Sequence, residues 1–227
     1  FNDFFKKNKV KALFLSHDMY IHMGIVSKIG FKHNIPTYLL SAHTFIKLTY
    51  PYELHDRFKM YPKLFDEKVP ESKKKDALNW SKKTLNKRLS GEIGVEMFYQ
   101  KESAFTNESV ASQINGDSLN VVIATHEFYD NPYAFGDLLF NDFYDWLDYL
   151  GNISKKLDYK FYLKAHRDAN ENEINHLKFF ERKYSNFVLL NKNYTFHQIK
   201  EEGVKHILSC YGSVGHELPL LGFTVIN

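Results

Sequence analysis

The stretch VKHILSCYGSVGHELPLLGFTVI, from Val204 to Ile226, decides the predicted fold. Its first five residues form an apolar run typical of a buried strand, and a turn bracketed by Gly212 and Gly215 follows. A helix is predicted to begin near Val214, and a short strand closes the stretch. A strand, a glycine turn and a helix in this order are typical of an open α/β sheet, which binds its ligands at such turns.

The turn has the chemistry of a phosphate-binding site. Glycine lets the backbone approach a ligand closely, and the first amides of a helix point free N–H groups outward. Ser213 adds a hydroxyl donor, and Glu217 on the first helical turn is placed to hold ligand hydroxyls. The predicted binding residues are Gly212, Ser213, Val214, Gly215 and Glu217. An ordinary structural turn remains the alternative, because such turns use Gly and Ser in any α/β protein.

A second stretch, KFYLKAHRD from Lys160 to Asp168, places polar side chains at the end of an alternating apolar strand. Open parallel sheets bind their ligands at the carboxyl ends of strands. Lys164 and His166 are therefore predicted to face a phosphate held by the Ser213 turn, which would make a charge-assisted clamp. An ordinary solvated strand end is the alternative.

The chain divides into two predicted parts. Residues 1–106 show a βαβ pattern followed by a basic helical excursion, residues 107–117 (NESVASQINGD) are polar and turn-rich as in a linker, and residues 118–227 alternate strands with helices. This alternation predicts a parallel, doubly wound sheet. The predicted strands are 12–16, 37–40, 121–125, 160–165, 187–190, 206–209 and 224–226, and the predicted helices are 23–32, a basic helix ending at 89, 140–157, 172–183, 195–202 and 214–221.

Polar residues also follow two other predicted strands, at Ser16–Asp18 and Thr125–Asp130. The first set belongs to the first part of the chain, so a cleft between the parts is expected to bring the sets together. His17, His126 and Glu127 are the predicted catalytic residues, because histidine and carboxylate side chains act as general acids and bases. Binding of substrate hydroxyls and a capping role remain open for them.

No metal or cofactor is expected. The chain has eleven histidines but no HxxxH or HExxH motif, and His17 and His22 are five residues apart. Cys210 is the only cysteine and ends a predicted buried strand, where packing is favoured over a nucleophilic role.

Composition excludes two classes of protein. A net charge of +3, from 30 Lys and Arg against 27 Asp and Glu, argues against a dedicated nucleic-acid binder. The apolar runs stay far below the ~20 residues that a membrane span requires. The positive charge is concentrated between Lys63 and Arg88. A solvated helix face, a patch for anionic lipid and a cradle for an acidic acceptor glycan are three open interpretations of this stretch.

Several blocks together carry a family resemblance. SHDMYIHMG at 16–24, RLSGEIGVEMFY at 88–99, THEFYDNPY at 125–133, KAHRD at 164–168 and YGSVGHELPLLGFTVIN at 211–227 resemble, in the right order, blocks of GT-B glycosyltransferases that build bacterial capsules and other surface carbohydrates. The resemblance spans nearly the whole chain. One departure is Arg167, which stands where the family usually has a proline after the histidine.

The resemblance implies a GT-B-like α/β fold with two Rossmann-like halves, each built on a parallel sheet. A complete GT-B enzyme exceeds 227 residues, and the chain begins without a start methionine and stops directly after a predicted strand. We therefore expect a fold truncated at both ends. Residues 1–106 would belong to the acceptor-side half, and residues 118–227 would form an incomplete nucleotide-sugar-binding half.

The resemblance also implies metal-independent transfer of a sugar from a nucleotide donor to a growing surface polysaccharide. A CMP donor is suggested, and UDP and GDP remain open. Lys164 and His166 would neutralise charge on the leaving group, and His17 with His126 or Glu127 would face the acceptor. The expected partners are a nucleotide sugar and an acceptor glycan or glycolipid. The expected location is the cytoplasm, with peripheral contact with the inner membrane as an option.

Two other functions remain open at this stage. A related enzyme could transfer a polyol phosphate from a CDP carrier, as in teichoic-acid synthesis, and would form a phosphodiester. A non-catalytic scaffold subunit of a polysaccharide assembly complex could keep the fold after losing part of the site.

Overall fold

The computed structural model of this chain describes residues 1–18, 20–40, 45–48, 60–94, 102–106, 108–115, 119–130, 139–210 and 212–227. The chain forms two compact units. The first comprises Phe1–Val69 with Asn131–Leu139, and the second comprises Pro70–Asp130 with Phe140–Asn227.

The first unit contains a three-stranded sheet in the order β1-β2-β3. Strand β1 pairs in parallel with β2, whereas β3 pairs antiparallel with β2. The expected parallel sheet is therefore wrong for β3, because only four residues separate β2 from β3 and a parallel connection needs a longer crossover. The elements are α1 (Asn2–Lys7), β1 (Leu13–Leu15), α2 (Ile21–Lys32), β2 (Thr37–Leu40), β3 (Phe45–Leu48) and α3 (Met60–Lys68).

The second unit contains a five-stranded sheet, all parallel, in the order β6-β5-β4-β7-β8. Each predicted strand of this unit lies within two residues of an observed one. Its elements are α4 (Glu71–Leu89), β4 (Leu119–Ala124), α5 (Phe143–Ser154), β5 (Tyr159–Lys164), α6 (Glu171–Lys183), β6 (Phe187–Leu189), α7 (Phe196–Glu201), β7 (His206–Leu208), α8 (Val214–Glu217), a 3-10 helix (Leu218–Leu221) and β8 (Thr224–Ile226).

Apolar side chains cover both faces of this sheet. On one face, Leu163 packs in a cluster with Trp146 of α5 and Phe180 of α6. On the other face, Val122 packs in a cluster with residues of α4, α7 and the 3-10 helix. Helices on both faces of a parallel sheet define a doubly wound α/β fold, and the strand order is that of a Rossmann-like sheet. The α/β expectation is confirmed at this level.

Helix starts in the second unit follow local capping signals. The Asp142 carboxylate accepts a hydrogen bond from the amide of Asp145, 2.8 Å away, and so begins α5. Asn170 and Glu173 form a capping box at the start of α6. The Thr195 hydroxyl accepts from the amide of Gln198 at the start of α7.

The two units divide the chain between Val69 and Pro70 and again at both ends of Asn131–Leu139, and the predicted linker 107–117 falls within the second unit. The described part of that segment, 108–115, docks into the second unit, where Ile114 is 7% exposed. The Val110 amide donates to Gln198 Oε1 at 3.0 Å, and the Asn115 amide donates to the Tyr162 hydroxyl at 3.0 Å. Side chains from distant elements accept hydrogen bonds from the backbone amides of this segment. Its polar composition therefore did not mark a domain boundary. Residues 107 and 116–118 lie outside the described residues.

The basic stretch 63–88 is shared between the units. Lys63 lies on α3 in the first unit, whereas α4 in the second unit carries most of the other cations. Lys63, Lys74 and Lys87 form exposed or half-exposed ion pairs with nearby glutamates, as on a solvated helix face. Arg88 differs, because it is buried.

Within the described residues, no helix combines the length and apolar composition that crossing a membrane requires.

Candidate functional site

The candidate site lies at the carboxyl edge of the five-stranded sheet. The strand order reverses between β4 and β7, and in open α/β sheets the crevice outside this point is the usual ligand site. The loops after both strands meet there, since a Cβ placed on Gly212 would lie 3.5 Å from His126 Cδ2. Gly212 has a φ of +109°, a conformation that disfavours other residues.

His126 sits between neighbouring aromatic rings. Its ring stacks on Phe143 at a centroid distance of 4.9 Å and on His166 at 5.8 Å. Burial lowers the pKa of His126, although Asp130, 3.7 Å from Nε2, acts in the opposite direction. The structure thus brings together two predicted site residues from different strands, and both rings are favoured in their neutral form.

His166 lies between two carboxylates. Its Nδ1 is 3.6 Å from Glu127 Oε1 and 3.9 Å from Asp168 Oδ2, and the amide of Asp168 donates to the same nitrogen at 3.3 Å. Burial, together with the neighbouring His126, lowers the pKa of His166 to about 4. Because Nδ1 accepts from this amide, the neutral ring carries its proton on Nε2 and can donate it to a ligand.

Glu127 is the carboxylate best placed for such exchange. Its pKa is raised, first by burial and then by the negative charges of Glu173, Asp168 and Asp130, while Arg167 opposes the shift. A carboxylate with a raised pKa is a stronger base than an ordinary one, and perturbed pKa values are common at functional sites.

Glu127, His166 and Asp168 could also hold a cation. One ligand atom of each lies within 4.8 Å of the others. Sequence motifs did not predict this cluster, because its members follow two different strands. Two features oppose metal binding: the Asp168 amide already occupies His166 Nδ1, and Arg167 Nε donates to Asp168 Oδ2 at 3.2 Å.

The turn after β7 differs from its expected form. Only Val214–Glu217 is α-helical before the chain tightens into the 3-10 helix, so no long helix dipole faces the site. The amides of Gly215, His216 and Glu217 donate to Gly212 and Ser213 carbonyls within the turn. The expectation that the first amides point freely at a ligand is therefore wrong for Gly215, His216 and Glu217, and stays a prediction for Ser213 and Val214.

Glu217 does not face outward to hold ligand hydroxyls, as had been predicted. It is 4% exposed, its Oε1 accepts from Arg88 Nε, and its Oε2 accepts from the Ser213 hydroxyl at 3.2 Å. Both oxygens are thus used inside the fold. The ion pair ties the end of α4 to the turn and orients Ser213, which remains exposed together with Gly212.

Lys164 also differs from its expected contacts. Its ammonium donates to the carbonyls of Ala165 at 3.1 Å and Lys192 at 3.3 Å, and it lines a cavity formed with residues after β6. The described residues of the Ser213 turn do not line that cavity. The predicted pairing of Lys164 with a phosphate on the turn is therefore not the arrangement that the structure favours.

The first unit carries its own polar cluster after β1. The ring of His17 meets the rings of Tyr20 and His22 edge-on, at centroid distances of 5.0 Å and 5.7 Å. Nδ1 of His17 is buried without a hydrogen-bond partner among the described residues. The predicted cleft that would bring His17 to His126 stays a prediction.

Two residues of the site region were missed by sequence reasoning. Arg88 was counted within a basic stretch, and its pairing with Glu217 joins positions 129 residues apart. Glu173 accepts from the amides of Asn170, at 2.9 Å, and Phe128, at 2.7 Å, and so fixes the loop that carries Glu127. The NxxE capping signal at 170–173 was visible in the sequence, but the contact with Phe128 was not.

No protein-family model and no curated protein matches this chain. The GT-B resemblance therefore rests on the sequence blocks quoted above.

Proposed function

We propose that this chain is part of a GT-B glycosyltransferase that moves a sugar from a nucleotide-activated donor to a bacterial surface polysaccharide. The observation that carries the proposal is the convergence of His126, Glu127 and His166 beside the Gly212 turn, at the point where the order of a parallel sheet reverses. This is where doubly wound sheets bind nucleotides.

The geometry suggests a division of roles. Gly212 and Ser213 are exposed at the crevice and are the proposed contacts of the donor phosphate. Glu127, whose pKa is raised, is proposed to accept the proton of the acceptor hydroxyl, and neutral His166 is proposed to contact the substrate through Nε2, because its Nδ1 accepts from the Asp168 amide. Glu217 is proposed to act indirectly, because its carboxylate accepts a hydrogen bond from the Ser213 hydroxyl and so orients it.

The wider setting follows the family resemblance. We propose a nucleotide sugar, with CMP as the first candidate base, as donor, a glycan or glycolipid as acceptor, and the cytoplasm or inner membrane surface as location. No resident cofactor is proposed.

Thermal unfolding with CMP, CDP, UDP and GDP tests the donor site. A nucleotide that binds only the folded chain raises its stability by about 2.7 kcal/mol at a concentration a hundredfold above its Kd. We expect one base to raise the midpoint selectively, and Ser213→Ala or His166→Ala to reduce that shift. The matched control is His206→Ala, because His206 is an exposed histidine at the start of β7. No shift with any nucleotide in folded protein would contradict the proposal.

One observation favours a non-catalytic alternative. The residue expected to hold sugar or ribose hydroxyls, Glu217, is committed to Arg88, and three amides of the turn are bonded internally. A scaffold that keeps the fold without the donor site would show these features. Product analysis with a bound nucleotide sugar separates the two functions, and a phosphodiester product would instead indicate the polyol-phosphate transferase.

A further inference from the structure

A cavity of about 340 Å³ lies in the second unit, apart from the histidine cluster. Its walls come from the end of β5, from residues that follow β5 and β6, and from Ile93, residues 102–104, Thr106 and Glu108, which precede β4. Its volume is in the range of pockets that hold small molecules. The polar residues that matter for its chemistry are Lys164, Arg167, Lys192, Ser103, Thr106 and Thr195.

Lys164 is the buried cation of this cavity, with 4% of its surface exposed. Its ammonium carries three protons and donates to two carbonyl oxygens, those of Ala165 and Lys192. In the described part of the chain no carboxylate forms a salt bridge with it, and its pKa is lowered first by burial and then by the like charge of Lys192. A buried ammonium without a counter-ion is unfavourable unless a ligand supplies the negative charge.

Two hydroxyl groups on the walls retain protons to donate. The oxygen of Thr195 accepts from the Gln198 amide at 3.2 Å, and the oxygen of Ser103 accepts from the Phe105 amide at 3.2 Å. Because each hydroxyl oxygen is engaged as an acceptor, its O–H proton is left for another group. The walls thus present donors around a positive charge.

The other charges at the cavity favour an anion at its base. Arg167 adds a second cation, whose Nη1 donates to the carbonyl of Glu102 at 3.1 Å and whose Nε is paired with Asp168 Oδ2 at 3.2 Å. Lys192 adds a third cation at the exposed rim, where the side chains of Glu102 and Glu108 are also exposed. Solvent screens these exposed rim charges of either sign, whereas the field of buried Lys164 is screened much less.

We propose that this cavity binds an oxyanion, a phosphate or carboxylate group of a small molecule, with the Lys164 ammonium as its anchor. Thr195 and Ser103 donate their hydroxyl protons to the same group, and Lys192 and Arg167 add attraction from the rim and wall. The site does not depend on sugar transfer, because the cavity shares none of its lining with His126, Glu127, His166 or the Ser213 turn.

Isothermal titration calorimetry with two probes tests the site. Inorganic phosphate and glucuronate, titrated separately at pH 7 and constant ionic strength, distinguish a phosphoryl ligand from a carboxylate ligand. We expect saturable binding of at least one probe, and a loss of about tenfold or more in affinity for Lys164→Met, since a charge-assisted contact is removed. Lys192→Gln should lose less, and Lys178→Gln, an exposed lysine on α6, should bind as the wild type does.

A second readout covers the case in which Lys164→Met does not fold. The pKa of Lys164, followed by NMR of the labelled side chain in the wild type, should rise when the probe saturates the cavity, because the bound anion stabilises the ammonium. Failure of both probes to bind, or binding that leaves the Lys164 pKa unchanged and survives Lys192→Gln in full, would overturn the proposal.

Ser213→Ala separates this site from the proposed donor site. We expect the variant to bind the anion as tightly as the wild type while losing nucleotide binding. Equal loss of both would place the anion on the turn and contradict the cavity assignment.

Discussion

Two buried charges at the carboxyl edge of the same sheet have opposite surroundings. Glu217 and Lys164 are each 4% exposed. Glu217 meets a counter-charge, Arg88, and a hydroxyl donor, Ser213. Lys164 meets two carbonyl oxygens and, among the described residues, no carboxylate.

This difference distinguishes Glu217, a charge satisfied within the fold, from Lys164, the proposed anchor of a bound anion. A buried ion pair is satisfied within the fold, and removal of one partner leaves the other uncompensated. A buried charge with only dipolar partners already carries that cost, so its removal is expected to stabilise the chain. The two regions should therefore respond to neutralisation with opposite signs.

The largest expected effect is at the ion pair. Arg88→Met should lower the free energy of unfolding by about 3–5 kcal/mol, because the Glu217 carboxylate stays buried without a counter-charge. Urea denaturation measures the change. Lys87→Met, at the exposed neighbouring position, should lie within about 0.5 kcal/mol of the wild type.

A double variant sharpens this result. Arg88→Met with Glu217→Met should recover most of the lost stability, since both charges are gone and the volume is kept. Arg88→Met alone with near wild-type stability would show that Arg88 and Glu217 do not form a buried ion pair.

A smaller effect of opposite sign is expected at Lys164. Lys164→Met should raise the free energy of unfolding at pH 7 by an amount on the order of 1 kcal/mol, because the gain from removing a buried charge exceeds the loss of two hydrogen bonds. Urea denaturation at several pH values checks it.

The pH dependence of that gain has a fixed direction. Burial lowers the pKa of Lys164 from 10.5 to about 8, so the unfolded chain holds the proton more tightly. Wild-type stability therefore rises between pH 8 and 10.5, and the advantage of Lys164→Met shrinks over the same window. An advantage that grows with pH would contradict the burial of a charged ammonium.

Protonation of His166 is expected to change the free energy of unfolding by about 1 kcal/mol. This is less than the pKa shift alone would give, because a third of the His166 side chain is exposed to solvent. Its pKa is lowered from 6.5 to about 4, so the unfolded chain binds the proton first as the pH falls. Wild-type stability should fall between pH 6.5 and 4, and His166→Asn should fall less. His206→Asn, at an exposed position, should keep the wild-type profile in thermal unfolding curves.

The smallest expected effect is that of metal removal. EDTA should leave any nucleotide-induced thermal shift unchanged, because the proposed donor contacts use no ion. A shift that EDTA abolishes and Mn²⁺ restores would instead assign a cation to Glu127, His166 and Asp168, whose ligand atoms lie within 4.8 Å of one another.

Much of the second unit was predictable because its signals are local. The strand Thr224–Ile226 has its predicted bounds, and the helix predicted at 140–157 is three residues shorter at each end, beginning after its Asp142 cap. Apolar runs separated by glycine and capping residues specify such elements within a few positions. In the first unit, β3 was missed, since a four-residue strand beside a short connection carries little periodicity.

The candidate site was predictable only in part. Polar residues at strand ends were visible, and parallel strands place such ends along one edge. Which of them meet depends on strand order, which no local pattern contains. His126 and His166 stack because β4 and β5 are neighbours, whereas Lys164, only two residues before His166, lines a separate cavity.

The sequence by itself determined the alternation of strands and helices, the positions of the turns and the types of polar residue at the sheet edge, because periodicity and capping act over a few residues. Only the tertiary structure decided that Glu217 is paired with Arg88 and that Lys164 is buried without a carboxylate among the described residues. Burial and charge pairing depend on contacts between distant positions, and these contacts separate a structural charge from a binding one.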